Sequence, residues 1–512
     1  MRRENSIKNI SMSIFSQLVI ILLGFISRRI FIDNLGQEYL GINGLIGNIL
    51  SVITIIESGV GVGIVYNLYK PLSERDTIKV TSLIQLYKKI YSILAIVIFI
   101  LSLILYPFMK NITDASQGIT NITLIYFIFV TKNMISYFNA HKWALINADQ
   151  KGYKLVRSNL IFQVITTIAK MIVLMITNNY ILYLIIEIII YTLQNVFNTR
   201  IVNKSYPYIK TKIKYPIDED IKVNLVQNVK AMFFHNIGGY LVFGTDNILM
   251  AKFVGIATVG IYDGYAMIIG QLNTLVSSVI SGIGASIGNL IATESNEKSY
   301  EIFKVTYLIN FWIYSFCVIF LYNLLEPFIN LWLGSGNLLD RYSFIFILLN
   351  FYLRGMRSSL LTFKNKAGLF VQDKYVSLIE GIINLVVSLI LVKYLGLLGV
   401  FIGTTVSTIS IAFWNLPRVV YKYYFKKSTN SYFKKYFLFL FIGFIAGVIT
   451  TFTCTSLIHG VNLISLVAKG IICVTIPNVI YIAVFHKTDE FRYLWNVLKP
   501  MIIKAKNKLV TS

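Results

Sequence analysis

The sequence predicts an all-α polytopic membrane protein with about 14 transmembrane helices. Three observations carry this. Of 512 residues, 56% are hydrophobic and only 14% are charged, against about 25% charged in a soluble domain. Apolar stretches of roughly 20 residues, the length that crosses a hydrocarbon core about 30 Å thick, recur along the chain. The basic residues gather between alternate stretches, as topology in a membrane requires.

The stretches fall near 11–32, 40–68, 87–108, 120–140, 159–177, 180–199, 226–251, 257–290, 303–325, 342–362, 376–394, 396–416, 433–457 and 461–485. The second and eighth are longer than a span needs and are expected to tilt or project into water. The tenth is interrupted by Arg354 and Arg357. Arg2, Arg3 and Lys8 precede the first, and Arg28 and Arg29 stand near its end, where a small-residue cleavage site would be. It therefore reads as a retained span and not as a leader. The longest loop, about residues 200–225, is short and basic, which leaves no room for an inserted catalytic domain. The expectation is a protein that is not an enzyme. Cys317, Cys454 and Cys473 all lie in apolar stretches and read as small core residues.

A net charge of +24 first suggests nucleic acid, but its distribution does not. Of the 47 Lys and Arg, 38 lie in the N-terminal segment, in the loops near 70–89, 142–157, 200–230, 298–304, 354–374 and 418–435, and in the C-terminal tail. All of these share one side of the membrane. The positive-inside bias makes that side cytoplasmic and places both termini there. The partners expected of this charge are membrane lipids, with no nucleic acid.

The chain resembles itself at a spacing of about 220 residues. Gly36-x4-Gly41-Ile42 recurs as Gly255-x4-Gly260-Ile261, and Ser58-Gly-Val-Gly61 as Ser281-Gly-Ile-Gly284. Lys132-x-Met134-x-Ser136 recurs as Arg354-x-Met356-x-Ser358, and Asp149-Gln-Lys151 has a counterpart in Asp373-Lys374. Six spans separate the copies, an even number, so both halves share one orientation and are expected to be related by a pseudo-two-fold along the membrane normal. The expected division is an N-terminal lobe over residues 1–222, a C-terminal lobe over 223–430, and two further helices with a tail over 431–512. Two similar lobes suggest a transporter working by alternating access.

A charge deep in a span costs about 2.5–3.5 kcal/mol by insertion scales, so each one asks for a partner or a wet cavity. The cations are Arg28, Arg29, Lys132, Lys170, Arg354, Arg357 and Lys469, and the anions Glu57, Glu187, Asp246, Asp263 and Glu380. Lys132 and Arg354 hold matching positions in the repeat, and Arg357 shares a face with Arg354 at i+3. Cations converging from both halves favour an anionic substrate bearing phosphate, which the planar fork of arginine suits. Arg28, Arg29, Lys132, Arg354 and Arg357 are the candidate substrate-binding residues. Interhelical ion pairs such as Lys170–Glu187 are the structural alternative. Asp246, Glu57 and Glu187 are the buried acids able to take up a proton or sodium, Asp246 first. The alternative there is that Asp246 neutralises Arg28, Arg29 or Lys252. Runs such as Gly59, Gly61 and Gly63, Gly282, Gly284 and Gly288, and Gly396, Gly399 and Gly403 read as close helix packing. They lack the lysine and serine of a nucleotide loop. No metal pattern and no cofactor is expected.

Several stretches carry a resemblance. Phe31-Ile-Asp-Asn-Leu-Gly-Gln-Glu-Tyr-Leu-Gly41, Glu57-Ser-Gly-Val-Gly61 and Leu68-Tyr-Lys-Pro71 resemble the polysaccharide flippases of the multidrug/oligosaccharidyl-lipid/polysaccharide (MOP) exporter superfamily. Gly244-Thr-Asp-Asn-Ile248, Val259-Gly-Ile-Tyr262, Gly368-Leu-Phe-Val-Gln-Asp-Lys-Tyr375 and Gly396-Leu-Leu-Gly-Val-Phe-Ile-Gly-Thr404 continue the likeness in order. The resemblance implies a flippase that moves an undecaprenyl-diphosphate-linked oligosaccharide from the inner to the outer leaflet of the bacterial cell membrane, for capsule or a related polymer. It implies two six-helix lobes around a cationic cavity, with an arginine near the outer end of helix 1 that Arg28 or Arg29 would supply. It also implies a lipid-tail groove at the last two helices, and a polymerase and glycosyltransferases as partners. A drug/cation antiporter of the same superfamily would want an acidic cavity. A membrane-embedded glycan polymerase would want a long outer loop, and the longest here, near 326–341, is short.

Overall fold

The computed structural model describes residues 2–113, 121–149, 151–216, 240, 244–369, 371–373, 375–496 and 499. Among them the regular structure is helical throughout, with no strand. By packing the chain divides into two units, Met1–Asp263 and Gly264–Ser512. The first holds α1 (Arg2–Glu74), α2 (Thr77–Thr113), α3 (Ile122–Phe138), α4 (Ala140–Ala148), α5 (Tyr153–Thr177), α6 (Tyr180–Ser205) and α7 (Asp246–Phe253). Helix α8 (Ile256–Thr293) runs through the division. The second unit continues with α9 (Asn296–Leu333), α10 (Arg341–Met356), α11 (Ser358–Lys366), α12 (Val376–Leu395), α13 (Leu397–Phe425), α14 (Asn430–Leu457) and α15 (Leu463–Phe485).

Nine helical stretches among the described residues are long and apolar enough to cross a membrane, and α3 is a shorter apolar helix. They coincide with nine of the expected spans, and α3 with the fourth. The first two expected spans form one helix, α1, bent at Gly36 where φ is +82° and ψ is 177°. Only the end of the seventh span, as α7, lies among the described residues. Two basic segments expected as loops contain helices. Asn139 and Arg357 break the fourth and tenth spans, and nine-residue helices follow, α4 and α11. In α4, His141, Ala144, Leu145 and Ala148 are buried. Their three- and four-residue spacing gives the segment one face to pack on α1 and α2.

The repeat has a physical counterpart in the first unit. Gly36 and Gly255 both hold positive φ, +82° and +130°, a region that costs other L-residues energy. Five residues after each bend stands a glycine in close contact. A Cβ on Gly41 would lie 2.0 Å from the carbonyl oxygen of Ile256, and one on Gly260 would lie 2.2 Å from that of Gln37. Ile256 follows Gly255 and Gln37 follows Gly36, so the contact is reciprocal, as a local two-fold requires. The bends let α1 and α8 cross backbone to backbone.

Helices α5 and α6 form a tight antiparallel hairpin. Asn178 takes the left-handed conformation that ends α5, with φ +49°, and the Asn179 side chain caps α6 by accepting from the Ile181 and Leu182 amides. In the second unit, Gly399 lies against the backbone of Leu391 and Gly403 against Ser388, as expected of close packing, whereas Gly396 has nothing within 4 Å of a Cβ and holds a φ of +56° between α12 and α13. Those near 59–63 and 282–288 have side-chain environments outside the described residues. The core of this unit is aromatic. Phe303, Tyr307 and Phe311 line one face of α9 at four-residue spacing, and Phe439 of α14 stacks on Phe311 with centroids 4.6 Å apart. Tyr481 and Phe485 of α15 close over the same ring. Lipid supplies no hydrophobic drive between helices, so interlocking rings of this kind hold α14 and α15 to α9.

The crossing is directly testable. Gly41→Ala and Gly260→Ala each force the helices apart and should cost about 1–3 kcal/mol, the range for overpacking. Gly47→Ala, with nothing within 4 Å of a Cβ there, should be neutral. Thermal unfolding of the detergent-solubilised protein reads the difference.

Candidate functional site

The hairpin of α5 and α6 places Lys170 and Glu187 at one level, each seven residues from the end of its helix at the turn. At 1.5 Å per residue that is about 10 Å along the helix. Lys132 stands ten residues into α3, about 15 Å. These depths fall within a hydrocarbon core about 30 Å thick. There the two lysines converge on one carboxylate. Lys132 donates to Oε1 of Glu187 and Lys170 donates to Oε2.

Helix α6 presents more than the acid. Tyr183, Glu187 and Tyr191 stand at four-residue intervals and share a face. Lys170 Nζ lies 4.1 Å from the centroid of the Tyr183 ring, and Lys132 Nζ lies 6.0 Å from that of Tyr191. Each ammonium thus meets one oxygen and one aromatic face. The rings disperse charge but supply none, so two cations share a single anion. Tyr183 is also within electrostatic reach of Arg28 on α1. Phe31 lies at i+3 from Arg28 and packs edge-on against Tyr180 and Tyr183, at 5.9 and 5.3 Å. The Tyr180 hydroxyl donates to Asn43 Oδ1 at 2.6 Å and fixes that ring.

Arg28 reaches across the α1–α8 crossing to Asp263, with Nη2 2.9 Å from Oδ2. The repeat makes this pair informative. Adding 219 to Arg28 gives Asn247, and subtracting 219 from Asp263 gives Gly44. Those mates also approach each other, since a Cβ on Gly44 would lie 3.5 Å from Asn247 Nδ2. One position of the pseudo-symmetric crossing carries an ion pair, and its equivalent carries a neutral contact.

The other sequence-predicted residues are placed as follows. Arg29 is exposed and pairs with Asp33 one turn on, at 2.7 Å. Arg354 is exposed on α10. Arg357 holds Glu380 of α12 with two hydrogen bonds, 2.8 and 3.2 Å, and Thr408 donates to the same carboxylate at 3.2 Å. Asp246 is buried at the start of α7, and its Oδ1 has no hydrogen-bond partner among the described residues. Glu57 lies on α1 where side chains are outside the described residues. Asp149 and Asp373, matched in the repeat, are both paired with lysines, Lys151 and Lys364. Lys132 and Arg354 lie in different units.

The structure brings together Lys132, Lys170 and Glu187, and separately Arg28 with Asp263. From sequence, Lys170–Glu187 is one structural alternative and Lys132 is matched with Arg354; the three-way cluster is not foreseen. The tyrosines at i−4 and i+4 of Glu187 were the overlooked signal. They mark a face of α6 made to receive two cations. The second unit adds an apolar groove of about 640 Å³ between α9, α10 and α14, lined by Val318, Ile319, Leu348, Phe444, Val448 and Phe452 among others.

No family model and no curated protein sequence matches the chain. Solved structures do. The lipid II flippase MurJ in an inward closed conformation aligns with a TM-score of 0.67 at 14% identity, over 93% of this chain and 99% of that one. A multidrug resistance MATE family transporter of the MOP superfamily aligns at 0.57 and 15% identity, over 79% and 98%. A mutant form of the Vibrio cholerae MATE transporter VcmN gives 0.56 and 13%, over 82% and 97%. The chain therefore has the fold of the MOP-superfamily transporters. It is a multi-pass membrane protein.

The Arg28–Asp263 pair predicts a charge-swap result. Asp263→Asn should lower the thermal stability of the purified protein by about 1–2 kcal/mol, below the roughly 3–5 of a fully buried pair because the Asp263 side chain is 35% exposed. The Arg28→Asp, Asp263→Arg double variant should recover most of that loss.

Proposed function

We propose that the protein is a flippase for an undecaprenyl-diphosphate-linked oligosaccharide. It carries the repeat unit from the inner to the outer leaflet of the bacterial cell membrane for capsule or related polysaccharide assembly. One observation carries this reading. At membrane depth, two lysines share one carboxylate, which among the described residues leaves a surplus positive charge. An uncompensated cation there is costly, and an anionic head-group relieves the cost. A cationic drug would raise it. One structural neighbour is a lipid II flippase, which agrees with a lipid substrate.

In this reading Arg28, Lys132 and Arg354 serve the diphosphate as it crosses with its glycan, while the polyprenyl chain stays in apolar surroundings. The groove on α14 suits that chain. Alternating access moves the site from one leaflet to the other, with both termini on the cytoplasmic side. A membrane potential is worth about 2.3 kcal/mol per elementary charge per 100 mV. With the inside negative, it favours both outward passage of the anion and inward return of the empty cationic site. Of the two candidate acids whose side chains are described, Asp246 is the one proposed to bind a proton or sodium, since lysines engage both oxygens of Glu187. Glycosyltransferases and a polymerase would act before and after the step.

The test is a leaflet assay for the lipid-linked repeat unit in cells with and without the protein. Loss of the outer-leaflet pool on depletion is the expected result, and an unchanged pool would remove the proposal. Arg354→Ala should lower export at normal protein levels, with Arg354→Lys recovering part of it, because charge is kept but the fork is lost. For the groove, Gly447→Trp should lower export several-fold while the protein stays folded, because a Cβ at Gly447 meets only ordinary contacts with Ile319, 3.6 Å and beyond.

A further inference from the structure

The Tyr183–Glu187–Tyr191 face of α6 does more than neutralise buried lysines. A carboxylate whose two oxygens each hold a different ammonium, from α3 and from α5, occupies the place a phosphate would take between them. The two lysines are not held alike. Lys170 is the more buried, with 16% of its side chain exposed against 38% for Lys132. It also lies closer to its ring, 4.1 Å against 6.0 Å.

We propose that Glu187 is the resident counter-ion of a two-lysine anion site. An incoming diphosphate takes its place at Lys132 while Lys170 retains it. This deepens the flippase reading and rests on it for the identity of the ligand, the diphosphate of the lipid-linked substrate. Charge counts support the arrangement. Among the described residues, Glu187 alone leaves one positive charge over at the two lysines. A diphosphate oxygen taking its place at Lys132 would supply the missing negative charge. The exchange is of hydrogen bonds only: the Lys132 ammonium gives up Oε1 of Glu187 and donates to a phosphate oxygen. A resident carboxylate lowers affinity in the empty state and also speeds release, since it is at hand to recapture the lysine.

The sign of two substitutions tests this. The probe is farnesyl diphosphate, titrated calorimetrically into the full-length protein in nanodiscs of neutral phosphatidylcholine. Lys132→Gln should weaken binding about tenfold, and Lys132→Arg should restore most of it. Glu187→Gln should tighten binding at least about fivefold, because the competing carboxylate is gone. Inorganic pyrophosphate should show the same order at lower affinity, and farnesol should not bind. If Glu187→Gln weakens binding, or if Lys132→Gln stays within about twofold of wild type, the cluster is a structural ion pair and the proposal fails. Lys132→Arg, which keeps the charge, covers the case in which Glu187→Gln does not fold. A lysine site for lipid headgroups would instead be filled by phosphatidylglycerol discs, with farnesyl diphosphate affinity in neutral discs indifferent to Lys132→Gln; that result also overturns it. The leaflet assay separates the two levels. Export that persists unchanged in Lys132→Gln removes the site and spares the flippase reading. Opposite binding shifts without any export of the repeat unit keep the site and remove the reading.

Discussion

Two carbonyl oxygens seated on two glycines set the geometry of the first unit. Ile256 lies on Gly41 and Gln37 lies on Gly260, so close that neither glycine could carry a Cβ without moving a helix. Contacts of this kind are strong organisers in a membrane, where helices gain little from burying apolar surface and much from close backbone approach. The positive-φ bends at Gly36 and Gly255 aim the two helices into that crossing. With α1 fixed, Phe31 packs on Tyr180 and Tyr183, and the α5–α6 hairpin falls in beside it. Tyr183, whose ring Lys170 faces, is thereby held within electrostatic reach of Arg28.

Symmetry is kept where the backbone needs it and broken where chemistry enters. The glycines and bends repeat at 219 residues, but the residues facing the crossing do not. Arg28 and Asp263 form an ion pair, whereas Asn247 and Gly44 meet as neutral groups. In the proposed alternating-access reading, two like halves would give two states of similar energy. The charge distribution has to be uneven if the protein is to bind one substrate in one orientation.

Much of this was legible in the residues. The helical class, nine of the spans and the matched glycines follow from composition, stretch length and motif spacing, while Arg29 and Arg354, read as lying deep in spans, are exposed. Gly36 and Gly255 could be matched by motif alone, and their shared conformation explains why the motif is there. Three things were not legible. Basic segments near 142–157 and 354–374 read as loops because charge masks the apolar pattern of the short helices within them. Lys170–Glu187 is readable as an interhelical ion pair, but nothing in a spacing of 55 residues says that Lys132 joins the same carboxylate. The Arg357–Glu380–Thr408 contact likewise joins elements whose approach depends on the glycine packing of α12 against α13. Tertiary convergence of charges is the part of a membrane protein that periodicity cannot supply, since each helix satisfies the hydrocarbon on its own.

The sharpest measurement is charge selectivity in proteoliposomes of the purified protein under an inside-negative potential. Two substrates compete for one pathway: a polyprenyl-diphosphate-linked oligosaccharide, scored by accessibility of its glycan in the far leaflet, and a lipophilic cationic dye, scored by fluorescence. A site with surplus positive charge moves the diphosphate and ignores the dye, and the movement fades when Lys132 and Arg28 are neutralised together. Dye transport with no movement of the diphosphate, or diphosphate movement indifferent to that double substitution, would contradict the proposed function.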